Sequence, residues 1–286
     1  MSSIRRSSAR RFGLLIVACL AGSGSVFAEG YILGLGLAGD SEDGVAISAF
    51  ADFGLLENTW LSATLGKTET EALVGGFSSK FADVGIDQYF NPMGVRLSGA
   101  YWGDADILDS NDVRASLYYR NEIASISVDY ERRNFDFVVR ANAMRDARSA
   151  EFEADGWGLT NRVHVGDRIT LRLSGMQYDY SRDIRIQPEI DILRFLSASR
   201  LSLVNSLVDY RINAGVEYRF GLRSVDLSVG GWKTAVDQSH VSSYTIGFLT
   251  PMTDRTDIEF RLSFDDSESF GNSTVLTVYL YYFGGS

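Results

Sequence analysis

The sequence predicts an all-β chain that closes into an antiparallel transmembrane β-barrel of about 14 strands, with 12 and 16 as the open alternatives. Three observations lead there. Apolar residues recur at every second position in one stretch after another, and no helical periodicity of similar strength lies between them. The connections alternate between short turns and longer acidic loops. The chain also begins with a segment built for export. The clearest stretch runs through Ile258, Phe260, Leu262 and Phe264, with Glu259, Arg261, Ser263 and Asp265 between them. One face of that strand is apolar and the other carries charges of both signs, which suits lipid on one side and water on the other.

The export segment comes first. Arg5, Arg6, Arg10 and Arg11 make a basic start without an acid, Phe12 to Ala21 is an apolar core, and Val26-Phe27-Ala28 offers a small-residue cleavage site before Glu29. This pattern predicts a signal peptide over 1–28 and a barrel domain over 29–286. The apolar core is too short to span a bilayer as a helix. Ile16-Val17-Ala18-Cys19 has the look of a lipoprotein box, but the complete cleavage site downstream favours ordinary processing. Cys19 is the only cysteine, so the segment after Ala28 has no disulfide or thiolate metal site. The chain holds 27 Lys and Arg against 37 Asp and Glu; without the four signal arginines 23 remain, a formal charge of −14. That balance argues against nucleic acid as a partner. A mean hydropathy of −0.04 fits charged positions cancelling lipid-facing ones.

In chain order, alternation predicts strands at 30–38, 45–53, 59–67, 79–90, 94–103, 112–120, 123–140, 152–165, 168–180, 207–220, 223–235, 240–250, 256–266 and 274–283. Most are long enough to cross the hydrocarbon layer at a tilt. Asn91-Pro92-Met93-Gly94, Asn121-Glu122, Val165-Gly166-Asp167 and Phe220-Gly221-Leu222 form short turns on one side. Gly39 to Gly44, Gly103 to Asp112 and Asp265 to Ser273 form longer acidic loops on the other. The stretch 123–140 breaks its own parity: Ile126, Val128 and Tyr130 share one face, while Phe135, Phe137 and Val139 fall on the other. A β-bulge at Glu131–Asn134 is expected to reset the register, because splitting the stretch into a hairpin would make the strand count odd. Aromatics sort by strand end. Trp60, Tyr89, Phe90, Tyr119, Tyr218, Phe220 and Phe283 lie near the short turns. Tyr101, Trp102, Tyr130, Trp157, Tyr178 and Trp232 lie near the long loops, so two membrane-interface girdles are expected.

In the last strand Val275, Thr277, Tyr279, Tyr281 and Phe283 alternate toward a terminal aromatic, followed by Gly284-Gly285-Ser286. On these residues the chain resembles a Gram-negative outer-membrane β-barrel of the small monomeric porin type. The resemblance is one of architecture over the whole exported chain. It implies outer-membrane lipids and lipopolysaccharide as surroundings, the barrel-insertion machinery and small solutes as partners, and a monomer in the cell outer membrane.

Inward positions carry the functional information. Alternation turns Arg114, Arg120, Arg172, Arg211, Arg219 and Arg261 inward as pore-lining residues, together with Asp83, Asp87, Glu217 and Glu259. Bases concentrate in the middle strands and acids in the first ones, so a field across the lumen is expected. The leading reading is a porin-like channel for small polar or cationic solutes, with no cofactor and no metal. A lumen plugged by Arg–carboxylate pairs is the structural alternative. The loop 181–206, which mixes Ile190, Leu193, Leu196 and Leu203 with Arg194 and Arg200, is the candidate gate.

One constellation points to chemistry instead. His240 and Ser242 are two apart on one outward strand face, and pairing with the next strand is expected to bring Asp266 opposite His240. A serine, an imidazole and an orienting acid make a hydrolytic set. Its placement resembles the outer-membrane phospholipases and lipid A deacylases. His240-Val241-Ser242-Ser243 lacks the Asn-Gly that usually follows in those families, and no oxyanion hole is marked. His164 is expected to line the lumen near a short turn. Gly34, Gly36 and Gly39 do not make a phosphate loop, because no helix follows them.

Overall fold

The computed structural model describes residues 30–41, 43–72, 75–104, 108–139, 148–182, 207–269 and 271–285. The expected signal peptide and the centre of the candidate gate loop, 183–206, lie outside the described residues. Fourteen antiparallel strands pair in sequence order, and the first pairs with the last to close the barrel. They are β1 (Tyr31–Asp40), β2 (Val45–Leu56), β3 (Thr59–Ala72), β4 (Gly75–Tyr89), β5 (Met93–Asp104), β6 (Leu108–Arg120) and β7 (Ala124–Val139). Then follow β8 (Arg148–Val165), β9 (Ile169–Tyr180), β10 (Val208–Phe220), β11 (Arg223–Thr234), β12 (His240–Thr253), β13 (Thr256–Ser267) and β14 (Gly271–Gly284). Each expected strand has its counterpart, and closure leaves no edge strand unpaired.

Turn chemistry fixes one end of the barrel. Gly166 and Gly221 adopt φ of 63° and 67°, a region open to glycine, in the tight turns β8–β9 and β10–β11. In the β6–β7 turn the Asn121 side-chain oxygen accepts hydrogen bonds from the backbone N–H of Ile123 and Ala124, at 2.9 and 2.8 Å. Within the wall, Gly34 makes room for a neighbour, since the Phe50 ring lies over it where any Cβ would stand. Tyr281 packs on Phe50 with ring centroids 5.5 Å apart.

The outer face of the membrane zone is a continuous apolar belt. Leu65, Val113, Leu117, Leu159, Leu173, Ile212 and Leu262 are all outward and exposed, as a chain solvated by lipid requires. Toward the loop end this polarity inverts. Outward Leu65 gives way to Lys67 and Glu69, Tyr130 to Arg132, and Trp157 to Asp155 and Glu153. Inward positions at the same height become apolar: Trp102, Leu108, Phe135, Phe137, Ala154, Tyr178, Val208, Trp232 and Val241 pack as one buried cluster. Above the lipid the outside meets water, so the apolar face turns in.

That inversion corrects the expected bulge. The β6–β7 and β7–β8 registers run without a shift from Arg120↔Ser125 to Val139↔Arg148. Phe135 and Phe137 keep the inward parity of Asp129 and Glu131; what changes along the strand is the environment on each side. β7 and β8 have 16 and 18 residues, well beyond the roughly 9–11 that cross a bilayer. Register shifts occur elsewhere, at Gly54/Leu56, Val208/Tyr210 and Pro251/Thr253.

The expected aromatic girdles are thinner than the sequence suggested. Tyr130 and Trp157 pair on the outer face at 4.8 Å, and Tyr119, Tyr218 and Phe220 face outward near the short turns. Trp102, Tyr178 and Trp232 instead belong to the interior cluster, and Trp60 lines the lumen. Phe283, expected in the short-turn girdle, faces the lumen as well. In the last strand Val275 is buried, Tyr281 faces the lumen, and Leu276, Leu280 and Tyr282 face lipid.

Candidate functional site: the barrel interior

The interior has three levels. At the loop end stands the apolar cluster, built from β4 to β12. Beneath it lies a knot of ion pairs centred on Glu131, whose side chain is 2% exposed. Arg114 donates from Nε to Glu131 Oε1 at 2.7 Å, and its two terminal nitrogens meet Asp83 at 3.0 Å and Asp112 at 3.2 Å. Arg133 Nε lies 3.2 Å from Glu131 Oε1, and its guanidinium stacks 4.7 Å over the Tyr178 ring. Tyr178 donates its hydroxyl to the other Glu131 oxygen, which Arg211 approaches at 3.8 Å. Three cations thus share one buried carboxylate, an arrangement that holds when each charge has several partners.

Below the knot is a cavity of about 980 Å³. Asp83, Asp87, Arg114 and Arg211, expected from the sequence, line it, together with Asp52, Arg96 and Asp129. A smaller space of about 340 Å³ toward the short turns takes in Arg172, Glu217, Glu259 and Arg261. Arg120 stacks 4.4 Å over Tyr89, and Arg219 Nε meets Glu217 Oε1 at 2.8 Å; both continue the inward parity of their strands.

The charges are not separated across the lumen as expected. Ion pairs join neighbours on one wall: Arg96 to Asp87 at 2.6 Å, Arg261 to Glu259 at 2.5 Å, and Arg172 to Asp226. Sequence reasoning missed Arg96, Arg133 and Arg162. Arg133 was hidden by the supposed bulge; continuous alternation from Asp129 through Glu131 would have found it.

The hydrolytic constellation does not assemble as drawn. Ser242, not His240, is the Cα partner of Asp266. The acid beside His240 is Glu268, which accepts the His240 backbone N–H at 2.9 Å. The His240 ring turns to the Tyr210 hydroxyl, 3.4 Å from Nδ1. Both His240 and Ser242 do face outward, above the lipid-facing Tyr244. His164 contacts Thr170 Oγ1 through Nδ1 at 3.1 Å, near the β8–β9 turn. Among the described residues, no group of three or more His, Cys, Asp or Glu side chains is placed to hold a metal.

No protein-family model matches the chain, and no curated protein matches it. Solved structures do. A CymD monoaromatic hydrocarbon channel is similar at a TM-score of 0.54 and 11% identity, over 91% of this chain and 89% of that one. OmpT, an outer-membrane protein of Vibrio cholerae, is similar at 0.49 and 8%, over 90% and 99%. The KdgM porin, in complex with disordered oligogalacturonate, follows at 0.45 and 9%, over 88% and 98%. At such identities the likeness is one of fold. The closed barrel and its apolar outer belt give this chain the architecture of a transmembrane β-barrel, the fold it shares with the CymD channel.

Proposed function

We propose that the chain is an outer-membrane channel for small polar solutes, exported by the segment 1–28 and acting as a monomer among outer-membrane lipids and lipopolysaccharide after assembly by the barrel-insertion machinery. The observation that carries this reading is the cavity of about 980 Å³, walled by polar and charged side chains inside a 14-strand barrel. Side chains alone fill barrels of about eight strands, and wider ones leave room for water. The apolar cluster is built from one side of the wall, β4 to β12. On β1 to β3 the inward positions at that height are small, Gly36, Ala46, Ser48, Gly66 and Thr68, and we assign the route past the cluster to that part of the wall. The arginines and carboxylates named above line the route and set which ions pass.

A plugged structural barrel is the second reading, favoured by the buried knot at Glu131. Swelling of vesicles carrying the purified protein separates the two. Small sugars and amino acids should enter much faster than into protein-free vesicles, and entry at the protein-free rate would refute the channel.

A further inference from the structure

In a barrel each inward side chain stands beside its Cα partner on the next strand, so inward residues form rows around the wall. One row runs from β6 to β10 as Arg120, Ser125, Arg162, Arg172 and Gly215. Arg162 and Arg172 are direct cross-strand neighbours, a placement in which like charges repel and cost stability. Arg172 is held by Asp226. Arg162 is exposed to the lumen and makes no ion pair among the described residues, in a chain with 37 acids. Beside Arg172, Gly215 lets that side chain cross the row toward Asp226: a Cβ there would stand 3.4 Å from Arg172 Nη2.

The next row toward the loop end has a different character. It runs Tyr118, Ser127, Thr160, Ser174 and Asn213, with no full charge. Hydroxyl and amide groups therefore lie one step, roughly 7 Å, above the arginines. We propose that these two rows form a binding track for a polyhydroxylated anion, a carboxylate or phosphate carrying several hydroxyl groups. Arg162 offers a fork of N–H donors, and Arg172 the donors it does not give to Asp226, to match carboxylate or phosphate oxygens. In the upper row Tyr118 donates to Asp87, and Ser127 and Thr160 donate to Asp129, so these three meet neutral hydroxyls as acceptors, beside Ser174 and Asn213. An anion between Arg162 and Arg172 also removes their mutual repulsion. This narrows the channel reading and takes its transport meaning from it, and it departs from the cationic solutes that the overall acidity suggested; the binding event itself needs no conduction.

Titration calorimetry of the full chain in detergent tests the track, with gluconate, glycerol phosphate, sorbitol and glucosamine as probes. Gluconate or glycerol phosphate should bind, and which of them binds identifies the anionic group; sorbitol and glucosamine should not. Arg162→Ser should weaken binding at least about tenfold, the effect of losing one charge-assisted partner. Ser125→Asp, which sets a carboxylate beside Arg162, should weaken it as well and serves if the first variant fails to fold; heat-modifiable gel migration checks both. No binding of either anion, equal binding of sorbitol, or unchanged affinity in the folded variants overturns the track. Vesicle swelling without anion binding leaves the channel standing and removes the track. Binding without solute entry supports the track and removes the channel.

Discussion

Changing Glu131 to Gln tests the knot that divides the apolar cluster from the cavity. The carboxylate serves Arg114, Arg133 and Arg211 and accepts the Tyr178 hydroxyl. Arg114 keeps Asp83 and Asp112 when Glu131 is neutralised. Arg133 suffers most, because its side chain is 1% exposed and cannot turn to water. Breaking a buried pair by removing one partner costs about 3–5 kcal/mol. The Tyr178 contacts of Arg133 put the expected loss at the low end, about 3 kcal/mol, or roughly 150-fold in the folding equilibrium. Glu131→Gln combined with Arg133→Met removes both charges and should recover most of that loss, since apolar replacements of buried pairs are often neutral. Urea unfolding in lipid vesicles, followed by tryptophan fluorescence, measures both variants; Trp102 and Trp232 sit in the adjoining cluster and report on it. A single variant within about 1 kcal/mol of wild type would refute the reasoning, and so would a double variant less stable than the single.

Four further outcomes are expected. Phe135→Ala removes a ring stacked 4.8 Å from Phe152 and should cost about 3–5 kcal/mol, seen as faster proteolysis of the loop end while the membrane belt keeps its heat-modifiable migration. Replacing Arg172, Arg211 and Arg219 by Ser should raise conductance and cation preference, because positive charge leaves the lumen; unchanged reversal potentials would count against these residues as pore lining. In the β11–β12 turn, burial pushes the Asp237 carboxyl up, but hydrogen bonds from Thr234, Ser239 and Ser269 outweigh it and hold it well below the usual range. A depressed carboxylate stabilises fully above its unfolded value of about 3.9 and loses that contribution as pH falls through the folded value; the turn should therefore resist an acid-active protease down to about pH 4 in wild type and be cut readily at every pH in Asp237→Asn. Finally, the protein should release no fatty acid from phospholipid or lipid A, with or without calcium; release that Ser242→Ala abolishes would revive the hydrolase.

The membrane zone was legible in the sequence because lipid outside and water inside impose one alternation on every strand. Ile258 to Asp265 shows it without ambiguity, and the inward arginines followed from the same parity. The loop end was harder to read. There the solvent on each side changes while the backbone register does not, so Phe135 and Phe137 looked like a slipped strand. Trp102, Tyr178 and Trp232 were misassigned to a membrane girdle for the same reason: position along a strand gives height but not side. Asp266 landed opposite Ser242 because hairpin register depends on turn geometry, including the shift at Pro251/Thr253, and a shift of two residues keeps the face while changing the partner. Pairing between charges was equally invisible, since Arg114 reaches carboxylates on three different strands.

Single-channel recording in planar bilayers tests the central claim most directly. The full chain, purified and inserted from detergent, should give discrete, ohmic conductance steps. Arg162→Ser should change the block by added gluconate or glycerol phosphate without abolishing the steps. A folded, heat-modifiable protein that stays silent at every voltage and salt concentration would contradict the channel and leave a closed structural barrel.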